Sequence, residues 1–289
     1  MSAFPTTVLL ATDGSEYSRE ATEAAADIAV KSGSELHVVH VWHDVPGFAH
    51  AFVTQELKRQ GQEILDEQLK EIEDAGGTVK QAHLRGGRTS DEVIELSEEL
   101  EVGLLVVGSR GLGTLRRILV GSHSEEIVHH ARVPVMVVRG GESAWPPTKI
   151  VIGEDLSDDA RRAGDLAASI GRLYGSRAIL VSTRQDLPDA RRDAGEAEAD
   201  ARKPDEGRLG ERADELGVVL GSRPDIRVSG GNPAAAILEV AQRETPPPLI
   251  AVGRRGRASM RRTRLGSVST RIVTAAPGPV LVCPHVEQV

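Results

Sequence analysis

The strongest constraint on the fold is a glycine pattern that occurs twice in the 289-residue chain. The first copy is Gly108–Ser124, with the sequence GSRGLGTLRRILVGSHS, and the second is Gly253–Ser269, with the sequence GRRGRASMRRTRLGSVS. In both copies a Gly-x-x-Gly pair is followed, after nine residues, by Gly-Ser. Each copy follows a short apolar run, Leu104–Val107 or Leu249–Val252, that predicts a buried strand, and each leads into a segment with helical periodicity. The chain therefore contains two copies of one strand–loop–helix unit.

A strand–loop–helix unit with glycines in its loop is suited to phosphate. Glycine lets the backbone approach an anion closely, and the first N–H groups of a helix have no partner within the helix. The helix dipole is also positive at that end. A long loop with an ordinary serine cap is the alternative, and one copy alone would not exclude it. Two copies in matching contexts favour phosphate binding.

Predicted strands and helices alternate along both halves of the chain, which indicates parallel sheets covered by helices on both faces. Five strands and four helices per half fit the doubly wound order 3-2-1-4-5. We therefore predict two tandem five-stranded parallel sheets, in domains spanning residues 1–140 and 148–289, with Gly140–Pro147 as a short linker. Within the second half, Arg184–Leu216 is rich in Ala, Arg, Asp and Glu, is broken by Pro204, and predicts a broken, mobile or partly exposed helical segment.

The expected ligand crevice lies where the strand order reverses, beyond the carboxyl ends of strands one and four. In the first half Asp13 follows strand one and Gly108 ends strand four. In the second half Asp155 and Gly253 occupy the matching places. Residues that are far apart in sequence are thus predicted to meet in one crevice per half.

Composition excludes several classes of function. No apolar run reaches the length of about eighteen residues that a membrane helix needs, and the N-terminal run lacks the features of a signal peptide. The single cysteine, Cys283, excludes an internal disulfide and a cysteine-based metal cluster. A net charge of −8 and only 2% aromatic residues argue against nucleic-acid binding. We expect a cytoplasmic protein with no membrane or nucleic-acid partner.

The glycine pattern, together with the run Ala11–Ser15, resembles the ATP-binding signature of the universal stress protein family. The resemblance covers nearly the whole chain as two tandem modules and implies an adenine nucleotide alpha-hydrolase-like fold. It implies ATP as the ligand, with any Mg2+ held by the phosphates, and a nucleotide-dependent regulatory or signalling role in stress response with little or no ATP turnover. The family's modules pair through their last strands, which implies a homodimer or an intrachain pseudo-dimer, besides a regulated protein that the sequence does not name.

The resemblance also assigns roles to individual residues. It implies that Asp13 contacts the nucleoside, although an aspartate at this place is also a common helix cap, and that Val41 lines the adenine pocket. Gly108 and Gly111 would lie near the ribose and phosphate, and Ser122 would bind the phosphate at the helix start. The predicted nucleotide-contacting residues of the first half are Ala11, Thr12, Asp13, Val41, Val107, Gly108, Arg110, Gly111, Gly121, Ser122, His123 and Ser124. Those of the second half are Gly153, Asp155, Val252, Gly253, Arg255, Gly256, Gly266, Ser267, Val268 and Ser269.

The sequence departs from the family pattern at a few of these places. His123 stands where the family usually has valine; either a neutral histidine is tolerated there, or a charged one contacts phosphate. Glu154, Leu156 and Thr183 replace the equivalents of Thr12, Gly14 and Val41. An extra carboxylate such as Glu154 beside a nucleotide would repel it, yet we expect both modules to bind.

Two other functions remain open at this point. A slow ATPase or another adenine-nucleotide enzyme is the first. The sequence lacks a Gly-Lys-Ser/Thr phosphate loop and an evident aspartate pair for magnesium, so we predict no catalytic residue. A nucleotide-free dimerisation scaffold is the second, and the two intact glycine patterns count against it.

Overall fold

A computed structural model describes residues 4–43, 50–109, 121–139, 145–184, 206–256 and 265–284. The chain divides into two compact units, mainly Ser2–Pro146 and mainly Pro147–His285. These units are called the N-terminal and the C-terminal module below.

The N-terminal module alternates strands and helices. Its elements are β1 (Thr7–Ala11), α1 (Glu16–Ser32), β2 (Glu35–Trp42), α2 (His50–Asp74), β3 (Gln81–Gly86), α3 (Thr89–Glu99), β4 (Leu104–Gly108), α4 (Ser122–His130) and β5 (Val135–Val138). Neighbouring strands are parallel, and their order is β3-β2-β1-β4-β5. The predicted doubly wound order is confirmed for this module.

The C-terminal module repeats the arrangement. Its elements are β6 (Lys149–Gly153), α5 (Asp158–Tyr174), β7 (Arg177–Arg184), α6 (Glu206–Leu220), β8 (Asp225–Gly230), α7 (Pro233–Gln242), β9 (Leu249–Gly253), α8 (Ser267–Ala275) and β10 (Val280–Cys283). The strands are again parallel, in the order β8-β7-β6-β9-β10. Counted within the module, this is the same order, 3-2-1-4-5.

The sheet centres are apolar because helices cover both of their faces. Every residue of β4, β5, β9 and β10 is buried. The edge strand β8 is mostly exposed, and β3 is only half-buried. Helices α1 and α5 both end at a left-handed glycine, Gly33 and Gly175, whose N–H closes the last turn. Among the described helices, none has the length and apolar character required to cross a bilayer.

The segment predicted to pack poorly, Arg184–Leu216, is only partly described. Residues 185–205 lie outside the described ranges, whereas Glu206 to Leu216 belongs to α6. This second part is helical and partly exposed, as predicted, but it is a continuous helix in which Leu209, Ala213 and Leu216 are buried. Their spacing gives α6 one apolar side, which the surrounding charged composition conceals in the sequence.

Three histidines are packed into the sheet of the N-terminal module. His37 Nδ1 lies 3.1 Å from His83 Nε2, and His40 Nδ1 lies 2.9 Å from the carbonyl oxygen of Thr12. Burial lowers the pKa of all three imidazoles below the usual value for histidine. The folded protein therefore resists protonation at these sites.

This resistance predicts acid sensitivity. A histidine whose folded-state pKa is depressed takes up protons in the unfolded state first, so stability is complete above about pH 6.5 and declines as the pH falls below it. Each histidine contributes at most about 1.4 kcal/mol per pH unit, and less at half-exposed His83, where solvent screens the charge. Chemical denaturation at pH 7.5, 6.5 and 5.5 should show this decline and a flatter profile for His83→Gln. The control is His130→Gln, which removes an exposed histidine. An unchanged free energy of unfolding across this range would contradict the prediction.

Candidate functional site

The carboxyl ends of the first and fourth strands are neighbours in each module. In the N-terminal module Ala11 of β1 is paired with Val107 of β4. In the C-terminal module Ile152 of β6 is paired with Ala251 of β9. These pairs flank the point at which the strand order reverses, where parallel sheets leave a crevice for a ligand. The fold thus brings each predicted aspartate next to the start of its predicted glycine loop.

The aspartate in each crevice forms a turn just before the following helix. Asp13 Oδ1 accepts a hydrogen bond of 3.0 Å from the N–H of Ser15, and Asp155 Oδ1 accepts one of 3.0 Å from the N–H of Ser157. The residue between aspartate and serine is left-handed in both modules, with a φ of 72° at Gly14 and 63° at Leu156. Asp13 therefore forms a turn before α1, whereas the N-cap of that helix is Ser15. Both aspartates are only half-buried.

In the C-terminal module, the described start of the glycine loop reaches Asp155. A Cβ atom added to Gly256 would lie 2.4 Å from Asp155 Oδ2, closer than any side chain allows. The N–H of Arg255 donates a hydrogen bond of 3.2 Å to Asp159 Oδ2 in the first turn of α5. A side chain at position 256 would therefore require the Asp155 carboxylate to move. The matching residues of the N-terminal module, Arg110 and Gly111, lie outside the described ranges.

In the N-terminal module, the helix that follows the loop is fastened to the end of its strand. The N–H of Gly121 donates to the carbonyl oxygen of Ser109 at 2.7 Å, and the hydroxyl of Ser124 donates to that of Gly108 at 2.7 Å. Ser122, the first residue of α4, is exposed. The free N–H groups of the first turn therefore start at the edge of the crevice.

The C-terminal module repeats these bonds. The N–H of Gly266 donates to the carbonyl oxygen of Arg254 at 2.9 Å, and the hydroxyl of Ser269 donates to that of Gly253 at 2.7 Å. Ser124 and Ser269 were expected to donate to a phosphate. Instead, the single hydroxyl proton of each holds the helix against the strand, and exposed Ser267 keeps the position that Ser122 has in the other module.

Thr12 also differs from its expected place in the ligand pocket. Its hydroxyl lies 3.1 Å from Ser18 Oγ and 3.0 Å from Gln68 Oε1, inside the module. Gln68 accepts a further hydrogen bond of 3.0 Å from Thr22. Sequence reasoning missed Gln68, because a single glutamine within a long amphipathic helix carries no distinguishing pattern.

The contacts of Glu154, the counterpart of Thr12, differ from the prediction that its carboxylate would repel a nucleotide. Its Oε1 accepts a hydrogen bond of 2.7 Å from the N–H of Leu156, and its Oε2 lies 3.2 Å from Nε of Arg212. The side chain of Glu154 is 0% exposed. Burial raises the pKa of this carboxyl, and the guanidinium of Arg212 opposes that rise. The carboxylate points into the module and is paired with a cation, so the expected repulsion of a nucleotide does not arise.

Comparison with known proteins identifies the family. The model of the universal stress protein family matches residues 5–139 and again residues 147–284. The chain belongs to the universal stress protein family.

Two of the proteins similar to this universal stress protein align with almost the whole chain, and a third aligns with about half of it. A universal stress protein of Mycolicibacterium smegmatis is 28% identical over 291 residues, covering 95% of this chain and 96% of the relative. A solved universal stress protein from Archaeoglobus fulgidus has a TM-score of 0.74 and 25% identity, covering 98% of this chain and 99% of its own. A Methanocaldococcus jannaschii universal stress protein is 31% identical over 139 residues, which is 46% of this chain and 81% of the relative.

The remaining predicted residues of this universal stress protein lie around the same strand ends. Val41, Val107 and Val252 are buried near the carboxyl ends of their strands. Ala11 is half-buried, and Gly153 is buried. A Cβ atom added to Gly153 would lie 2.6 Å from Ile237 Cδ1. Half-buried Val268 follows Ser267 in the first turn of α8.

One feature of the N-terminal module was not predicted as a pair. His43, directly after β2, and His123, in the first turn of α4, are both exposed, and their ring centroids are 5.8 Å apart. The sequence singled out only His123, because the two residues belong to different elements. Within the described ranges, the structure contains no group of three or more His, Cys, Asp or Glu side chains that could hold a metal ion.

Proposed function

We propose that this universal stress protein binds ATP at the carboxyl ends of the first and fourth strands of each module. The observation that carries the proposal is the contact between Gly256 and the carboxylate of Asp155. This contact brings the aspartate after strand one close to the glycine loop after strand four. It also places backbone without a side chain beside a hydrogen-bond acceptor. A carboxylate can accept from ribose hydroxyls, while glycine backbone admits a phosphate at close range.

The phosphate end of the proposed site is formed by helix starts. Helices α4 and α8 begin at Ser122 and Ser267, and their first N–H groups have no acceptor within the helix. The helix dipole adds partial positive charge at the same place. Because Ser124 and Ser269 use their protons internally, backbone N–H groups and the exposed serines would be the main phosphate donors.

We further propose that the nucleotide regulates the protein and is turned over slowly or not at all. Efficient hydrolysis needs a positioned water and usually a metal held by protein ligands. One carboxylate oxygen of Asp13 and of Asp155 already accepts a backbone N–H in a helix start. From family membership we also propose a role in stress response, a homodimer or paired modules, a regulated protein partner and a cytoplasmic location. Rapid multiple-turnover hydrolysis would favour the alternative of an enzyme.

Isothermal titration calorimetry tests the aspartate assignment. Asp155→Ala should weaken ATP binding at the C-terminal module by about tenfold or more, because an acceptor in the crevice is lost. The matched control is Asp158→Ala, which removes an exposed carboxylate three residues along the chain and should leave the affinity unchanged. Equal ATP affinity in Asp155→Ala and the unaltered protein would show that the crevice is misassigned.

A further inference from the structure

The two histidines at the mouth of the N-terminal crevice come from separate elements. His43 follows Trp42, the last residue of β2, and His123 is the second residue of α4. Both side chains are exposed, and their rings are inclined at 38° with centroids 5.8 Å apart. Two imidazoles from distant parts of the sequence thus face each other at the place proposed for the nucleotide phosphates.

The separation of the rings is close to that of two ligands of one metal ion. With a metal–nitrogen distance of about 2.0–2.1 Å, the metal lies about 3.2 Å from each ring centroid, and a tetrahedral angle places the centroids about 5.2 Å apart. Small rotations of exposed side chains close the difference from 5.8 Å. We propose that His43 and His123 bind one divalent transition metal ion of the zinc, nickel and copper class, for which imidazole is a preferred ligand.

The charged side chains around His43 and His123 affect how readily the pair can hold a cation. Glu126, which lies near His123, accepts a hydrogen bond of 2.8 Å from Ser90 Oγ and is paired with Arg88. Its carboxylate is engaged there, but it adds negative charge that offsets the helix dipole's repulsion of a cation. His40 of β2 lies within electrostatic range of His43, and its Nδ1 is 2.9 Å from the carbonyl oxygen of Thr12.

Two protein ligands leave the other coordination positions open. Within the described ranges a third protein ligand is not in place, so water or an anion would fill these positions. This step rests on the proposed function: a phosphate oxygen of ATP would complete the coordination, which would make the N-terminal module select a polyphosphate. The C-terminal module has Val268 in place of His123, so its site would lack the metal.

A second histidine pair gives an internal control. His37 and His83 share a hydrogen bond of 3.1 Å between ring nitrogens, and His37 is buried. A metal there would have to replace this hydrogen bond and reach a buried ring. We therefore assign the metal to the exposed pair.

The first experiment titrates zinc chloride alone into the full nucleotide-free chain by calorimetry at pH 7.5. We expect one site, weakened at least about tenfold by His43→Ala and by His123→Val and retained in His83→Gln. Binding should also weaken at pH 5.5, because only the neutral imidazole is a ligand. Absence of zinc binding, its persistence in both His43→Ala and His123→Val, or its loss in His83→Gln would overturn the proposal.

The second experiment separates this proposal from the nucleotide site itself. Zinc binding without any ATP binding would leave the metal site standing and refute the proposed function. With zinc present, ATP affinity at the N-terminal module should rise relative to adenosine, and His123→Val should abolish that rise. If ATP affinity instead increases on acidification without zinc, and His123→Val removes the increase, direct contact of charged imidazoles with phosphate replaces the metal.

Discussion

Replacing Arg212 with methionine is expected to destabilise the C-terminal module by about 3–5 kcal/mol at pH 7, because it leaves the buried carboxylate of Glu154 without its cation. Arg212 also lies 2.7 Å from Asp165 Oδ1 and donates to the carbonyl oxygen of Arg161 at 2.6 Å. Asp165 and Glu154 raise the pKa of Arg212 even though burial opposes its charge. Chemical denaturation, followed by circular dichroism, measures the loss.

Two further variants separate charge from packing in this prediction. Glu154→Gln combined with Arg212→Met should recover most of the stability, since the pair is then neutral while Oε1 of the glutamine can still accept from Leu156. Arg243→Met removes an exposed arginine from its pair with Glu239 and should cost no more than about 0.5 kcal/mol. A loss below about 1 kcal/mol for Arg212→Met would show that Glu154 is not held as a buried ion.

Gly253→Ala should cost about 3 kcal/mol, at the upper end of overpacking effects, and should also disturb the C-terminal crevice. A Cβ atom at this position would lie 2.6 Å from the backbone nitrogen of Ala160 and 2.7 Å from the carbonyl carbon of Asp159. Both are backbone atoms in the first turn of α5, so relief requires the helix to move away from β9. Thermal and chemical denaturation measure the cost, and ATP calorimetry measures the accompanying loss of affinity.

The matched control for this substitution is Gly210→Ala in helix α6. The nearest atom to a Cβ there is Arg223 Nη2 at 3.9 Å, so the methyl group fits. Because alanine is the better helix former, Gly210→Ala should stabilise the protein by about 0.5–1 kcal/mol. Equal stability of Gly253→Ala and the unaltered protein would mean that β9 and α5 are less closely packed than the structure shows.

Patterns that depend on neighbouring residues made most of the fold predictable. The alternation of apolar runs and helical periodicity gave the strand order of both modules, because parallel sheets with crossover helices allow few arrangements. Element ends were less accurate. The sequence of Trp42–Phe52, which contains Pro46 and Gly47, predicts a loop, whereas α2 begins within it at His50. Local composition around Pro46 and Gly47 favours a loop, whereas tertiary packing also contributes to where a helix begins.

Side-chain direction was the part of the site that the sequence left undetermined. Thr12 and Glu154 follow equivalent strands, and both side chains turn inward, one to Gln68 and the other to Arg212. A motif places such residues beside the crevice, but only the packed helices α2 and α6 show what their side chains contact. The same holds for Ser124, whose acceptor is the strand end of its own unit.

Native mass spectrometry of the folded chain mixed with ATP tests the central proposal most directly. We predict two ATP molecules per chain, one per module, and binding weakened about tenfold or more at both sites in the double variant Asp13→Ala/Asp155→Ala, while circular dichroism shows that this variant remains folded. A folded chain that binds no ATP, or a folded double variant that binds two ATP with unchanged affinity, would contradict the proposed nucleotide sites.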